Sequence, residues 1–239
     1  MTNILGLITA RGGSKELPRK NVLDLCGKPV IGWSIESALA CKQLDRLIVT
    51  TEDEEIAALS VEYGAEVPFR RPSSLATDDA SHLSVVLHAL DWLSKNESYN
   101  PSHVVLLQPT SPLRSAKDIQ AAIYLSQKEK AESVVSVCQS HHHPSLMYRK
   151  KGNVLFPFFS DVAKPGDSKV RRQAQATAYF VNGAIYLTEV DHLRDKQTFM
   201  SDCSLALEMD VDRSLQIDSM LDFRVIEAIM EENLANESG

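Results

Sequence analysis

The sequence predicts an α/β protein built on a doubly wound, mostly parallel sheet. Short apolar runs alternate along the chain with segments in which apolar residues recur at the helical period. This order is typical of parallel strands that are joined by helices. The chain has 239 residues, 44% of them hydrophobic, which is enough to bury one large core. We therefore expect a single domain over residues 1–239, with one inserted segment at about residues 139–180 that leaves the sheet.

The predicted strands are short apolar runs, and the predicted helices are longer segments with a helical period. The strands cover residues 4–9, 46–51, 104–108, 133–137 and 178–187. The helices cover residues 30–41, 53–63, 79–95, 115–127 and 220–234. A pair that resembles a capping box begins the fourth helix, Ser115 and Asp118. The third helix has the clearest apolar stripe, formed by Leu83, Val86, Leu87, Leu90 and Leu93.

Residues 139–178 show no sustained period of either kind. We therefore expect an excursion from the sheet there rather than another core element. The segment contains three consecutive histidines, His141, His142 and His143. Three consecutive side chains cannot all face one ion, so we do not expect a metal site at this point.

The composition limits the classes of partner. The net charge is −7 and the isoelectric point is near 5.5, whereas nucleic acids and anionic membranes attract broad positive surfaces. We therefore expect a small-molecule partner, with no nucleic acid and no membrane. The N-terminal apolar run is short and lacks a preceding positive region, so neither a signal peptide nor a membrane span is indicated. The four cysteines form no C-x-x-C pair, which favours reduced thiols in a cytoplasmic protein.

The loop after the first predicted strand concentrates positive charge. Besides one acid, Glu16, residues 10–21 contain four cations, Arg11, Lys15, Arg19 and Lys20. Parallel sheets bind their ligands at the carboxyl ends of their strands, and Gly12 and Gly13 would let backbone amides approach anionic oxygens. The loop therefore favours a polyphosphate ligand. The alternative is an ordinary solvated loop.

Six short strings follow one another along the chain: ARGGSKELPRKN at 10–21, RRP at 70–72, TDDAS at 77–81, LLQPTSPLR at 106–114, RRQ with NGAIY at 171–186, and QIDSMLDF at 216–223. Together they resemble the acylneuraminate cytidylyltransferases, also called CMP-sialic acid synthetases, over nearly the whole chain. Members of this family join CTP to a nine-carbon 2-keto-3-deoxy acid sugar and release pyrophosphate. The resemblance implies a nucleotidyltransferase that acts on CTP and an acidic nonulosonic sugar of the N-acylneuraminate or legionaminate type.

The resemblance implies roles for residues around the nucleotide. Arg11 and Lys20 match positions that contact the triphosphate, and with Asp218 they form the expected catalytic set. Asn21, Arg71 and the backbone of Ala80 match positions near cytosine and its ribose, although a surface ion pair is the alternative for Arg71. Gly12 and Ser14 lie in the same loop as Arg11 and Lys20, and we expect them to add contacts. The expected nucleotide-binding residues are Arg11, Gly12, Ser14, Lys20, Asn21, Arg71 and Ala80.

The sugar-binding residues that the resemblance implies are Gln108, Arg172, Asn182 and Tyr186. Arg172 matches a position directed at the acidic sugar, whose carboxylate a guanidinium can bind through two hydrogen bonds. A rigid turn is the alternative for the string around Gln108, and core packing is the alternative for Tyr186. The resemblance also implies a homodimer formed through the irregular segment, so Arg172 serves either its own site or that of a partner subunit.

Asp218 is the candidate metal ligand. Nucleotide enzymes usually hold Mg²⁺, or another divalent ion such as Mn²⁺, between a carboxylate and phosphate oxygens. Many relatives have Asp-x-Asp at this point, whereas this chain has Gln216, Ile217 and Asp218. We therefore expect an ion that is held by fewer carboxylates and by more water and phosphate oxygens. Asp210 and Asp212 fit the spacing less well.

Three further departures from the family pattern concern the sugar. Glu16 stands where relatives often have glycine, Leu146 stands near a position that is often basic, and Phe180 replaces a common arginine. Fewer cations weaken the assignment to sialic acid, and a more apolar acid such as legionaminic acid would suit Phe180 at least as well. One alternative is a cytidylyltransferase for 3-deoxy-manno-octulosonate or pseudaminic acid, against which the NGAIY string argues. Another is a CTP-binding module without catalysis.

Overall fold

A computed structural model of the protein describes residues 3–159 and 176–237. Its strands in these ranges are β1 (Ile4–Thr9), β2 (Asp24–Leu25), β3 (Lys28–Pro29), β4 (Arg46–Thr50), β5 (His103–Leu107), β6 (Ser133–Gln139), β7 (Tyr148–Lys151), β8 (Val154–Pro157), β9 (Tyr179–Glu189) and β10 (Leu205–Glu208). Its helices are α1 (Val30–Leu39), α2 (Glu54–Glu62), α3 (His82–Glu97), α4 (Ala116–Glu129), α5 (Val190–Lys196) and α6 (Met220–Glu237). None of these helices has the length and apolar character needed to cross a membrane.

The central sheet has six strands in the order β10-β6-β9-β5-β1-β4. β1 is parallel to both β4 and β5, and β6 is parallel to β10. β9 is antiparallel to both of its neighbours, β5 and β6. The prediction of a mostly parallel α/β sheet is therefore confirmed. The reversed strand follows the irregular segment, where no crossover helix is needed to bring the chain back.

Helices cover both faces of this sheet. Along β1, Ile4 and Ile8 face a core layer with α1, α2 and α4, whereas Leu5 and Leu7 face a layer with α3 and α5. This alternation is the period-2 geometry of a strand that is buried on both faces. A third apolar cluster joins Leu17 in the basic loop to residues of α6. The basic loop and the segment before α6 are therefore packed against each other.

Capping side chains decide where two helices begin. The capping box of Ser115 and Asp118 is present and begins α4. α3 begins at His82, later than we predicted, because Ser81 accepts a hydrogen bond from the amide of Ser84 at 3.1 Å. A serine in this position satisfies an amide that the helix leaves unpaired.

Four features have no clear signal in the sequence: the short β2–β3 pair, α5, β10 and the β7–β8 hairpin. Within the segment that we expected to leave the sheet, β7 and β8 pair as a separate two-stranded sheet, and they turn at Gly152, whose φ is +58°. Apolar side chains on this hairpin and at the start of β9 are between 41% and 61% exposed, namely those of Val154, Leu155, Phe156, Phe158, Phe159, Tyr179, Phe180 and Val181. The role of the segment in dimerisation, and its limits within the domain, stay predictions.

Candidate active site

A cavity of about 380 Å³ lies at the carboxyl ends of β1 and β5. Residues from four separate parts of the chain surround it, among them Thr9, Arg11, Ser14, Lys20, Asn21, Arg71, Ala80, His82, Gln108 and Asp218. Apart from Thr9 and His82, every residue named here is one that we expected at the site from the sequence. The fold therefore brings together strings that are far apart in the sequence, at the edge where parallel sheets bind ligands.

Two cations of the basic loop converge on one carboxylate. Arg11 Nη1 and Lys15 Nζ each lie 2.7 Å from an oxygen of Asp78. Hydrogen bonds from Lys15 and Arg11 hold the pKa of Asp78 below its usual value. Asp78 belongs to the TDDAS string, but sequence reasoning gave it no role. Two positive charges against one negative charge leave this edge of the cavity suited to an anion.

Lys20 joins the basic loop to the segment before α6. Its Nζ donates to the carbonyl of Ile217 at 2.9 Å and lies 3.1 Å from Oδ1 of Asp218. Its side chain is only 19% exposed. The packing of Leu17 with Ile217 in one apolar cluster positions these two segments. Lys20 and Asp218 therefore reach the cavity as a pair.

Arg19 faces away from this pair. Its guanidinium forms ion pairs with Asp53 and Glu55 at the beginning of α2. Asp53 also accepts the hydrogen bond that caps this helix, from the amide of Ile56 at 3.0 Å. The hydrogen bond from Arg19 lowers the pKa of Asp53. Arg19 therefore stabilises the loop against α2, which leaves Arg11, Lys15 and Lys20 as the cations of the loop near the cavity.

Gly12 has a packing role that the sequence did not indicate. Its amide donates to Oε1 of Glu52 at 2.8 Å, and a Cβ at this position would lie 2.4 Å from Oδ2 of Asp53. At Gly13 a Cβ would meet nothing within 4 Å. Our expectation that both glycines serve an anion through their amides is therefore not supported for Gly12, whose amide already has a partner.

Asn21 lies buried at the inner end of the basic loop. Its Nδ2 donates to the carbonyl of Arg11 at 2.9 Å, and this hydrogen bond holds the turn of the loop. Its Oδ1 is enclosed and has no hydrogen-bond partner in the described part of the chain. Buried amide oxygens are usually satisfied, so Asn21 offers an acceptor to a group that enters the cavity.

Arg71 is buried, and the alternative of a surface ion pair is wrong. Its Nη2 donates to the carbonyl of Ala10 at 3.0 Å and to the carbonyl of Thr50. Ala10 directly follows β1, and Thr50 is the last residue of β4, so the guanidinium joins the ends of two neighbouring strands. Burial lowers the pKa of Arg71 to about 10, which still leaves it charged at neutral pH.

His82 and Thr9 are cavity residues that sequence reasoning missed. His82 is the first residue of α3, and its Nδ1 lies 3.2 Å from Oγ1 of Thr9. Burial lowers the pKa of His82, and the charges of Arg71 and Arg11 lower it further. Burial and the two neighbouring charges therefore favour the neutral form of the imidazole. Its position directly after the TDDAS string is the only signal that could have indicated it.

Gln108 lies directly after β5 and faces the cavity. Its Oε1 lies 3.4 Å from Nε2 of Gln216, and its carbonyl accepts a hydrogen bond from Nη1 of Arg114 at 3.1 Å. Arg114 is fully buried and also donates to the carbonyl of Ala184 at 3.1 Å. Its burial lowers its pKa to about 10. Arg114 therefore joins the end of β5 to β9.

The three other sugar-binding predictions concern residues that do not line this cavity in the described structure. Asn182 is buried: its Nδ2 donates to Ser214 Oγ at 2.9 Å, and its Oδ1 accepts from Ser136 Oγ at 2.5 Å. Tyr186 packs against Phe199 with ring centroids 5.8 Å apart, which favours the core-packing alternative. Arg172 lies outside the described residues.

The acids near α6 offer one carboxylate to a metal ion. Asp218 is 58% exposed beside Lys20. Asp222 instead accepts hydrogen bonds from the amide and the hydroxyl of Ser219, at 2.7 and 2.8 Å. The described residues contain no group of three or more acidic, histidine or cysteine side chains that could hold an ion. Mg²⁺ commonly takes one or two carboxylates together with water and substrate phosphates, so this donor set fits Mg²⁺ when a phosphate is also present.

Comparison with known proteins agrees with this arrangement. The sequence model of the family described as cytidylyltransferase matches residues 5–193. The chain is 38% identical to N-acylneuraminate cytidylyltransferase of Escherichia coli O18:K1:H7 over 96% of its length, but it spans only about half of that relative, 52%. It is 33% identical to CMP-N,N′-diacetyllegionaminic acid synthase of Legionella pneumophila, covering 96% of this chain and 97% of the relative. It is 36% identical to pseudaminic acid cytidylyltransferase of Campylobacter jejuni, covering 76% of each.

Solved structures show the same fold. A CMP:2-keto-3-deoxy-manno-octonic acid synthetase complexed with CTP aligns with a TM-score of 0.72 at 16% identity, covering 97% of this chain and all of that one. A 4-diphosphocytidyl-2C-methyl-D-erythritol synthase aligns with a TM-score of 0.68 at 11% identity, covering 96% of this chain and 99% of that one. The sequence matches, together with the residues around the cavity, show that the chain belongs to the cytidylyltransferase family.

Proposed function

We propose that the protein joins CTP to an acidic nonulosonic sugar and releases pyrophosphate. The oxygen of the anomeric hydroxyl forms a bond to the α-phosphorus, the bond from that phosphorus to the leaving pyrophosphate breaks, and the hydroxyl proton passes to water. The observation that carries the proposal is the cavity where Arg11, Lys20 and Asp218 meet. Catalysis of such a transfer depends mainly on positioning and on neutralisation of the phosphates.

The cations at the mouth of the cavity would bind the triphosphate. Arg11 would exchange the carboxylate of Asp78 for phosphate oxygens, which are also anionic and accept hydrogen bonds, while Lys15 would keep its pairing with that carboxylate. Lys20, at the other end of the same loop, would contact the same phosphates. Farther in, Asn21 presents an enclosed acceptor oxygen. An acceptor there favours cytosine, whose N4 amino group donates, over uracil, whose O4 accepts.

Mg²⁺, or Mn²⁺ in its place, completes this proposal. Asp218 would hold the ion together with phosphate oxygens and water. When bound, the ion would neutralise charge on the phosphates. Lys20 lies 3.1 Å from the same carboxylate, so the lysine and the ion would share it. Gln216 adds no charge, and a single protein carboxylate therefore predicts a modest affinity for the ion before CTP binds.

The proposed sugar class rests on the relatives. N-acylneuraminate, N,N′-diacetyllegionaminate and pseudaminate are the acids named for relatives at 33% to 38% identity. The first two agree with the sequence analysis, and the third keeps pseudaminate as the alternative. Gln108 is the described residue that we propose to contact this sugar.

We also propose a cytoplasmic homodimer formed through the β7–β8 hairpin. Eight apolar side chains on or beside this hairpin and at the start of β9 are between 41% and 61% exposed, and clustered exposed apolar residues are typical of protein interfaces. Leu155→Asp should shift the protein to monomers in light scattering at micromolar concentration. Val61→Asp is the matched control, since Val61 is exposed to a similar degree on α2. Dimers that persist in Leu155→Asp would refute this interface.

One experiment tests the activity. The purified protein is mixed with CTP, Mg²⁺ and each of a panel of sugars, N-acetylneuraminic, N,N′-diacetyllegionaminic, pseudaminic and 3-deoxy-manno-octulosonic acid, and the products are identified by mass spectrometry. We expect a CMP-sugar with one of the first two acids and no product when CTP is replaced by UTP. Binding of CTP without a product from any acid would instead indicate a CTP-binding module.

A further inference from the structure

Two glutamine side chains meet beside the cavity. Gln108 lines the cavity, whereas Gln216 is not among the lining residues but contacts Gln108. The distance from Nε2 of Gln216 to Oε1 of Gln108 is 3.4 Å. Since an amide nitrogen donates and an amide oxygen accepts, Gln216 is the donor of this pair.

Gly183 provides the space in which the two amides meet. Its φ is +73°, a conformation that favours glycine. A Cβ at this position would lie 1.9 Å from Nε2 of Gln216 and 3.2 Å from Oε1 of Gln108. Nε2 of Gln216 and Oε1 of Gln108, the two atoms of the hydrogen bond, are also the atoms of their side chains that lie nearest to this position of Gly183 on β9. The oxygen of Gln108 is therefore directed at Gln216 and Gly183.

Arg114 holds the main chain around this pair. It donates from Nη1 to the carbonyls of Gln108 and Ala184, each at 3.1 Å. Its guanidinium is fully buried, which makes these strand ends costly to separate. With the main chain held in this way, the freedom that remains to Gln108 is the rotation of its side chain.

A side-chain amide has an oxygen that accepts and an NH₂ group that donates, so the partner of one group determines which group remains for a ligand. While Gln216 occupies the oxygen of Gln108, the Nε2 of Gln108 is left to donate. A carboxylate at position 216 could only accept. Gln108 would then turn its NH₂ group towards that carboxylate and offer its oxygen elsewhere.

We propose that Gln216 is a positioning residue that sets Gln108 to donate a hydrogen bond to the sugar. The group recognised is an acceptor, such as the carboxylate or a carbonyl oxygen of an acidic sugar. This inference rests on the proposed function, in which Gln108 contacts that sugar. Gln216 acts through Gln108 and does not itself touch the substrate.

Steady-state kinetics test this role, with the acid of the panel that reacts fastest as the substrate. The variants are Gln216→Leu, Gln216→Glu, Gln108→Leu and the double variant Gln108→Leu/Gln216→Leu. Gln216→Leu should raise the KM for the sugar about five-fold, the value of one ordinary hydrogen bond, and Gln216→Glu should raise it further. The KM for CTP should stay within about two-fold in Gln216→Leu. The double variant should be no worse than Gln108→Leu, because residues that act as a unit are not additive. Gln120→Leu on α4 is a matched control, and we expect it to behave as the wild type.

Additive effects in the double variant would overturn the proposal, as would equal increases of both KM values in Gln216→Leu. A second readout does not depend on turnover. The side-chain amide resonances of Gln108, assigned by their loss in Gln108→Leu, should shift strongly in Gln216→Glu, and unchanged resonances would also overturn the proposal. If no sugar reacts while these resonances shift, the proposed function fails and the coupling of the two glutamines stands.

Discussion

Replacing Lys20 by methionine removes one charge from the cavity with little change in side-chain length. The side chain is only 19% exposed, and its ammonium group contacts the carbonyl of Ile217 and the carboxylate of Asp218. A charge-assisted hydrogen bond at a partly buried site contributes about 1.5 to 3 kcal/mol. We therefore expect kcat/KM for CTP to fall about 10- to 100-fold, as measured by the release of pyrophosphate at saturating sugar.

Lys15→Met is the matched control, because it removes the same charge from the same loop. Lys15 is 78% exposed and pairs only with Asp78 among the described residues, and exposed ion pairs contribute about 0 to 1 kcal/mol. Its effect should stay below about five-fold. Calorimetric titration with CTP and thermal unfolding separate binding from folding. Equal losses in the two variants, or a loss in Lys20→Met explained by unfolding, would refute our reasoning that Lys20 contacts phosphates.

Three further predictions concern packing, pH and the metal ion. Gly12→Ala should lower the melting temperature, because its Cβ would lie 2.4 Å from Oδ2 of Asp53, whereas Gly13→Ala has open space and should change it little. The free energy of unfolding should fall as the pH falls from 7.5 towards 5. Burial lowers the pKa of His82 below 6.5 in the folded protein, so the unfolded chain binds a proton at a higher pH than the folded chain does, and acid favours unfolding. His82→Gln should remove part of that dependence in chemical denaturation. EDTA should abolish turnover, and Asp218→Asn should raise the Mg²⁺ concentration needed for half-maximal rate.

Specific results would contradict each of these three predictions. Equal melting temperatures for Gly12→Ala and Gly13→Ala would show that the loop moves to accept a side chain. A pH dependence that is unchanged in His82→Gln would assign it to other groups, such as His88, whose pKa burial also lowers. Full turnover in EDTA would remove the metal ion from the proposal, and an unaltered Mg²⁺ requirement in Asp218→Asn would remove Asp218 as its ligand.

Much of the fold could be predicted because its elements carry strong local patterns. The stripe of α3 and the capping box of α4 depend on residues three or four apart, so the sequence shows them directly. The reversed direction of β9 could not be predicted, since a strand has the same period in either direction. β7 and β8 were missed because each has four residues and no alternation that distinguishes it from a loop.

The sequence predicted which residues lie at the site more fully than it predicted how their side chains are arranged. The resemblance brought Arg11, Lys20 and Asp218 together, and they lie around one cavity. It gave Arg19 no role, and only the structure shows that this side chain turns away to α2. Tyr186 also matched the family motif, but its ring packs into the core.

The sequence by itself determined the class of fold, the position of the basic loop after the first strand and the family. These depend on local periodicity, on charge and on short motifs, all of which are present before the chain folds. Only the tertiary structure decided which polar groups remain available to a ligand. Asp78 opposite Arg11, and Gln216 opposite Gln108, are contacts between distant segments. Packing between distant segments sets the partner of each donor and acceptor, and no local pattern records it.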